Sequence, residues 1–111
     1  MAESEYIDIE SGIKRVVNNR QLYIKLLNNC KLQEMYNELL DSVNNKDNEN
    51  AKHIAHTLKG IAANLSLTAV SDIVVDMDMK LKVGEDVIYM LEPLQRAIEG
   101  TIEAIANLTS A

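Results

Sequence analysis

The chain has 111 residues, enough for one domain with a real core and too few for two. Apolar residues make up 47% and charged residues 25%, the balance of a globular domain; a net charge of −6 with scattered basic residues argues against nucleic-acid binding. No run approaches 18 apolar residues and no charged segment leads into an apolar one at the N-terminus, so neither a membrane span nor a signal peptide is expected, and the protein is expected in the cytoplasm.

With no Trp, no Phe and four Tyr, the core is expected to be aliphatic. The single cysteine, Cys30, has no partner for an internal disulfide and no neighbours for a zinc site, which fits a reducing compartment. Four Gly and one Pro leave few turns. The breaks fall at Val17–Asn19, Asn44–Asp47 and Val83–Asp86, and the segments between them carry helical spacing.

A short first helix is expected over Ile9–Val17. A second runs from Arg20 to Val43, its apolar stripe formed by Leu22, Leu26, Cys30, Met35, Leu39 and Val43. Asp47 can cap a third helix that reaches Leu65. A fourth covers Thr68–Lys82 with Val70, Ile73, Val74, Met77 and Leu81 inward; Lys80 and Lys82 suit the C-terminal end of its dipole. The last carries Val87, Leu91, Leu94, Ile98, Ile102, Ile105 and Leu108, with Pro93 either kinking it or marking its first turn. This pattern describes an all-α protein: an antiparallel up-and-down four-helix bundle with a short extra N-terminal helix, residues 1–111 forming one domain.

The third helix holds the chemically informative residues. At about 100° per residue, Ala51, Ile54, Leu58, Ile61 and Leu65 share one sector with Ala55 and Ala62 beside them, and His56 projects about 160° from its centre. Lys52, Lys59, Gly60 and Ala63 are its lateral neighbours on the outer face. Imidazole is largely neutral at cell pH and nucleophilic, and the lysines offer positive charge to a phosphoryl group. Glycine in mid-helix costs roughly 1 kcal/mol relative to alanine, so Gly60 on an outer face is best explained by close approach of a partner. His53 also faces outward, but Thr57 stands where His56 has its glycine, and it is expected to be solvated or partner-facing.

The run His56-Thr57-Leu58-Lys59-Gly60-Ile61-Ala62-Ala63-Asn64-Leu65 resembles the H-x-L-K-G-x-x-x-N-[LI] signature of histidine-containing phosphotransfer (HPt) domains. Tyr6-Ile7-Asp8 with Leu22-Tyr23 resembles the opening of that family, and Met77-Asp78 stands where its fourth helix usually shows Leu-Glu. Three residues depart from the pattern: Ser66 replaces a glycine, Ile61 a small residue, and Cys30 a large aromatic.

The resemblance implies that His56 is the phospho-acceptor in a two-component phosphorelay, with Lys59 stabilising the phosphoryl charge. Gly60 would be the cleared approach, and Lys52, His53, Ala63 and Asn64 would complete the partner-binding face. Asn64 would either hold the helix end or touch the partner. It further implies no kinase activity, no nucleotide site and no cofactor of its own, Mg2+ coming with the receiver partner. The expected partners are receiver domains of response regulators or a hybrid sensor kinase, without nucleic acid or membrane, and the chain is expected to be monomeric. The start at Met1 favours a free-standing protein. Two other readings stand beside this one: an adaptor bundle that uses the His56 face only for binding, and a metal site from Glu49, His53 and His56, whose three-residue histidine spacing is looser than that of zinc helices. Met77, Met79 and Met90 read as core filling, Cys30 as inert, and Glu92, Glu99 and Glu103 as a solvated face.

Overall fold

The computed structural model describes residues 5–109; Met1 lies outside them. Among the described residues there are six helices and no strand: α1 (Ile9–Arg15), α2 (Arg20–Asn28), α3 (Leu32–Asn44), α4 (Asn48–Leu65), α5 (Thr68–Lys82) and α6 (Ile88–Thr109). Side-chain caps start several of them. The Asp8 carboxylate accepts from the Ser11 amide at 3.1 Å, the Asn19 side chain from Leu22 at 3.0 Å, and the Asp47 carboxylate from Asn50 at 3.2 Å.

Helices α3, α4, α5 and α6 pack in a closed ring, each against two neighbours, while α1 and α2 both lie on α4 and α2 also reaches α6. Leu39, Leu58, Val70, Val74, Met77, Leu94 and Ile98 are fully enclosed in the ring. No helix among the described residues is long and apolar enough to cross a membrane.

The helix expected over Arg20–Val43 is instead two helices, α2 and α3, separated at Asn29–Lys31, where Lys31 adopts a left-handed conformation with φ 52°. Asn28 and Asn29 are weak helix formers, and the Asn29 side-chain Nδ2 donates back to the Lys25 carbonyl at 3.0 Å to close α2. The break shifts the phase of the buried face. Tyr23 and Leu27 point inward from α2, and Leu32, Tyr36 and Leu39 from α3. Leu22 and Leu26, expected inward, are 40% and 38% exposed. The five-residue step from Cys30 to Met35 in the apolar stripe marks the slip.

The aliphatic core also needs correction, because Tyr23 and Tyr36 are buried. Each phenol donates to a backbone carbonyl: Tyr23 Oη to Leu65 O at the C-terminal end of α4 at 2.6 Å, Tyr36 Oη to Leu91 O within α6 at 3.1 Å. Burial, then the charges of Asp8 and Cys30, pushes the Tyr23 phenol up from 10.0 to about 12. Gly12 is required here, since a Cβ at that position would collide with the Tyr23 ring. Met79 and Ile102 lie on the surface rather than in the core. Helix α1 ends at Arg15, before a turn in which Val17 and Asn18 both have positive φ. Pro93 lies inside α6, five residues after its start, so it does not mark the first turn.

Candidate functional site

Helix α4 runs over the bounds expected for it, with Asp47 as its N-cap. Ala51, Ile54, Ala55, Leu58, Ala62 and Leu65 are buried, and Ile61 is half-buried beside them. His56 and Gly60 stand on the opposite, exposed side, the His56 side chain 68% open to solvent. A Cβ built on Gly60 meets nothing within 4 Å. The helix ends at Ser66, which takes the left-handed conformation (φ 56°) that glycine adopts without strain. The Ser66 carbonyl accepts from the Asp8 amide at 2.9 Å, tying the end of α4 to the start of α1.

The centre of the site is a residue to which sequence reasoning gave no role. Asp78 on α5 is buried, its side chain 2% exposed, directly behind His56. Its Oδ1 lies 3.9 Å from His56 Nδ1, too long for a hydrogen bond but close enough for electrostatic attraction. Its Oδ2 accepts from Lys59 Nζ at 2.9 Å and lies 3.1 Å from Lys82 Nζ. Burial alone would raise the Asp78 carboxyl, but the hydrogen bonds and charges of Lys59 and Lys82 outweigh it and hold it below its ordinary value. A signal for Asp78 was present. It falls on the shoulder of the Val70, Val74, Met77, Leu81 stripe, where a helix wheel directs a carboxylate toward its neighbour. Lys82 follows one turn later.

The other residues singled out by the motif spread over different surroundings. Lys59 is half-buried rather than free, folded across to α5. Lys52 pairs with Glu49 at 3.0 Å on its own helix. His53 borders a crevice between α3 and α4 with Met35 and Glu38, whereas His56 meets α5. The two histidines therefore address different neighbours. Ala63 is exposed and lines a depression with Ser66 and Asp8. Asn64 borders a groove with Leu26, Cys30, Met35 and Ile61, between α2, α3 and α4. Burial raises the Cys30 thiol, whose Sγ donates to the Leu27 carbonyl at 3.1 Å. Among the described residues no group of three or more His, Cys, Asp or Glu is arranged to hold a metal ion.

Chemically, the arrangement is an open imidazole with a buried carboxylate on one side, two ammonium groups beside it and cleared space one turn along the helix. It has the parts for accepting a phosphoryl group: a nucleophile, cations for the phosphoryl oxygens and access for a donor. Comparison with curated proteins and with solved structures returned no match. Residues 26–108, which include α3 to α6 almost in full together with this site, match the Hpt domain family. The chain belongs to that family, whose members carry phosphoryl groups on histidine in two-component signalling.

Proposed function

We propose that His56 is the acceptor, taking a phosphoryl group from the phospho-aspartate of a receiver domain and passing it to the aspartate of another. The observation that supports this is the pairing of an exposed imidazole with a buried carboxylate on its Nδ1 side. With Nδ1 turned toward Asp78, the nitrogen on the far side of the ring, Nε2, is the nucleophile. Nε2 attacks phosphorus in line, the N–P bond forms, and the P–O bond to the receiver carboxylate breaks. Nδ1 keeps its proton and the imidazolium so formed faces Asp78. Return transfer reverses these steps on a second receiver.

Lys59 lies one turn from His56 and meets the phosphoryl oxygens, whose negative charge is spread in a loose transition state. Gly60 lets the receiver descend onto α4, and Lys52, His53, Ala63 and Asn64 border the covered surface. Mg2+ and the phosphorylated aspartate come with the receiver, and this chain contributes no nucleotide site, kinase activity or cofactor. In this reading α3–α6 form an antiparallel up-and-down four-helix bundle, capped by α1 and α2. Residues 1–111 then form one relay domain, cytoplasmic and monomeric, with no nucleic-acid or membrane partner.

The test is to incubate the chain with a receiver labelled on its aspartate, then with a second, unlabelled receiver. Acid-labile, alkali-stable label should appear on the chain and then move on. Stable binding of the receiver with no label transferred would instead assign this face to adaptor binding alone.

A further inference from the structure

Asp78 carries one negative charge and faces two ammonium groups, which approach the same oxygen at 2.9 and 3.1 Å from different helices. Within the fold this is a wasteful arrangement. One lysine already neutralises the carboxylate, and the second adds like-charge repulsion to the first. Lys82 is the less committed of the two, its side chain 55% exposed against 31% for Lys59. A bland role is available to it: it stands in the last turn of α5 and four residues after Asp78, where a cation suits both the helix dipole and an i,i+4 pair. Yet Lys80 occupies that last turn as well and pairs elsewhere, with Glu85 at 3.6 Å. Neither effect asks for a second lysine from α4 on the same oxygen.

Resting on the reading of His56 as acceptor, we propose that Lys82 is a second cation of the phosphoryl site, held ready on Asp78 and transferred to the phosphoryl oxygens when His56 is phosphorylated. Charge balance carries the idea. The resting cluster of Asp78, Lys59 and Lys82 has a net charge of one positive unit beside a neutral imidazole. The phosphoryl group brings roughly two negative charges and its attachment leaves the imidazolium with one positive charge, so the site comes near balance, whereas without Lys82 about one negative charge would remain uncompensated. Asp78 is then a positioning residue, keeping both lysines within reach of His56 while the site is empty.

Phosphoramidate provides a donor that needs no partner protein. His56 Nε2 attacks its phosphorus, the donor's P–N bond breaks, and ammonia leaves with the electron pair. Full-length wild type, His56→Gln, Lys82→Gln and Lys82→Arg would be followed by phosphorus NMR, with thermal melts of each. Lys82→Gln should acquire the group about tenfold more slowly with little change in melting temperature. The last ionisation of its phosphoryl group, faced in that variant by Lys59 and Asp78 without Lys82, should move to higher pH. Lys82→Arg should restore both properties. Wild-type labelling of His56 with Lys82→Gln equal to it in rate and ionisation would overturn the role of Lys82 and leave the carrier reading standing. Slow labelling with an unmoved phosphoryl ionisation would assign Lys82 to structure alone, and also overturns it. Absence of label on wild-type His56 from both phosphoramidate and a phosphorylated receiver would overturn the carrier reading itself.

Discussion

Replacing Gly60 should separate stability from function, and the structure supplies its own controls. Three glycines lie inside helices. A Cβ on Gly60 meets nothing within 4 Å, while a Cβ on Gly12 would strike the ring of Tyr23 and one on Gly100 the ring of Tyr6. At Gly60 only backbone propensity changes, so Gly60→Ala should stabilise the fold by up to about 1 kcal/mol. For a domain of this size that is about 4 °C in melting temperature. Gln is nearly as good a helix former and has solvent to extend into, so Gly60→Gln should melt at or above wild type. At Gly12 the same propensity gain is outweighed by displacement of a buried phenol, and Gly12→Ala should lose stability. Phosphotransfer should follow a different order. On the proposed docking of a receiver at this face, a Gln side chain one turn from His56 would stand in its way, and a misplacement of about 1 Å can cost on the order of a hundredfold in rate. Thermal melts beside transfer kinetics from a labelled receiver read both quantities. Unfolding by Gly60→Gln would refute the open placement of Gly60, and full transfer activity in that variant would refute docking at this face.

The Tyr23 phenol has a raised pKa in the fold, so its contribution is present below pH 10, declines as pH rises past 10 and is lost above about 12. Two units correspond to roughly 3 kcal/mol at most, and urea unfolding at stepped pH should show a loss between pH 10 and 12 that Tyr23→Phe lacks. Parallel declines in the two proteins would remove Tyr23 as the cause. The Asp78 carboxyl has a lowered pKa, so its contribution is present above 3.8 and is lost as pH falls through the lower folded value. Asp78→Asn should cost about 1–2 kcal/mol at neutral pH, a moderate figure because both lysines can turn to solvent, and the gap to wild type should close in acid. A gap that persists at the lowest pH would show that packing rather than charge holds Asp78.

Much of α4 was legible in the sequence because its signals are local. Asp47 caps its start, the apolar positions recur at three and four residues, and His56 and Gly60 fall opposite them. The break between α2 and α3 was not, since neither Gly nor Pro marks it and its evidence is a phase slip of one residue in an otherwise regular stripe. The buried tyrosines escaped for another reason. Tyr23 and Tyr36 are satisfied by carbonyls 42 and 55 residues away, partners that no local pattern reveals. Asp78 is an intermediate case. Its position beside the α5 stripe was readable, but its meeting with Lys59 depends on how α4 and α5 pack.

Carriage of the phosphoryl group on His56 is tested most directly by labelling His56→Gln and His53→Gln with a phosphorylated receiver. Both proteins should keep the wild-type helical signal, since both side chains are exposed. His56→Gln should take up no acid-labile label, and His53→Gln should take it up and pass it on as wild type does. Label on His56→Gln together with a silent His53→Gln would move the acceptor to the α3 side of the helix and contradict the account.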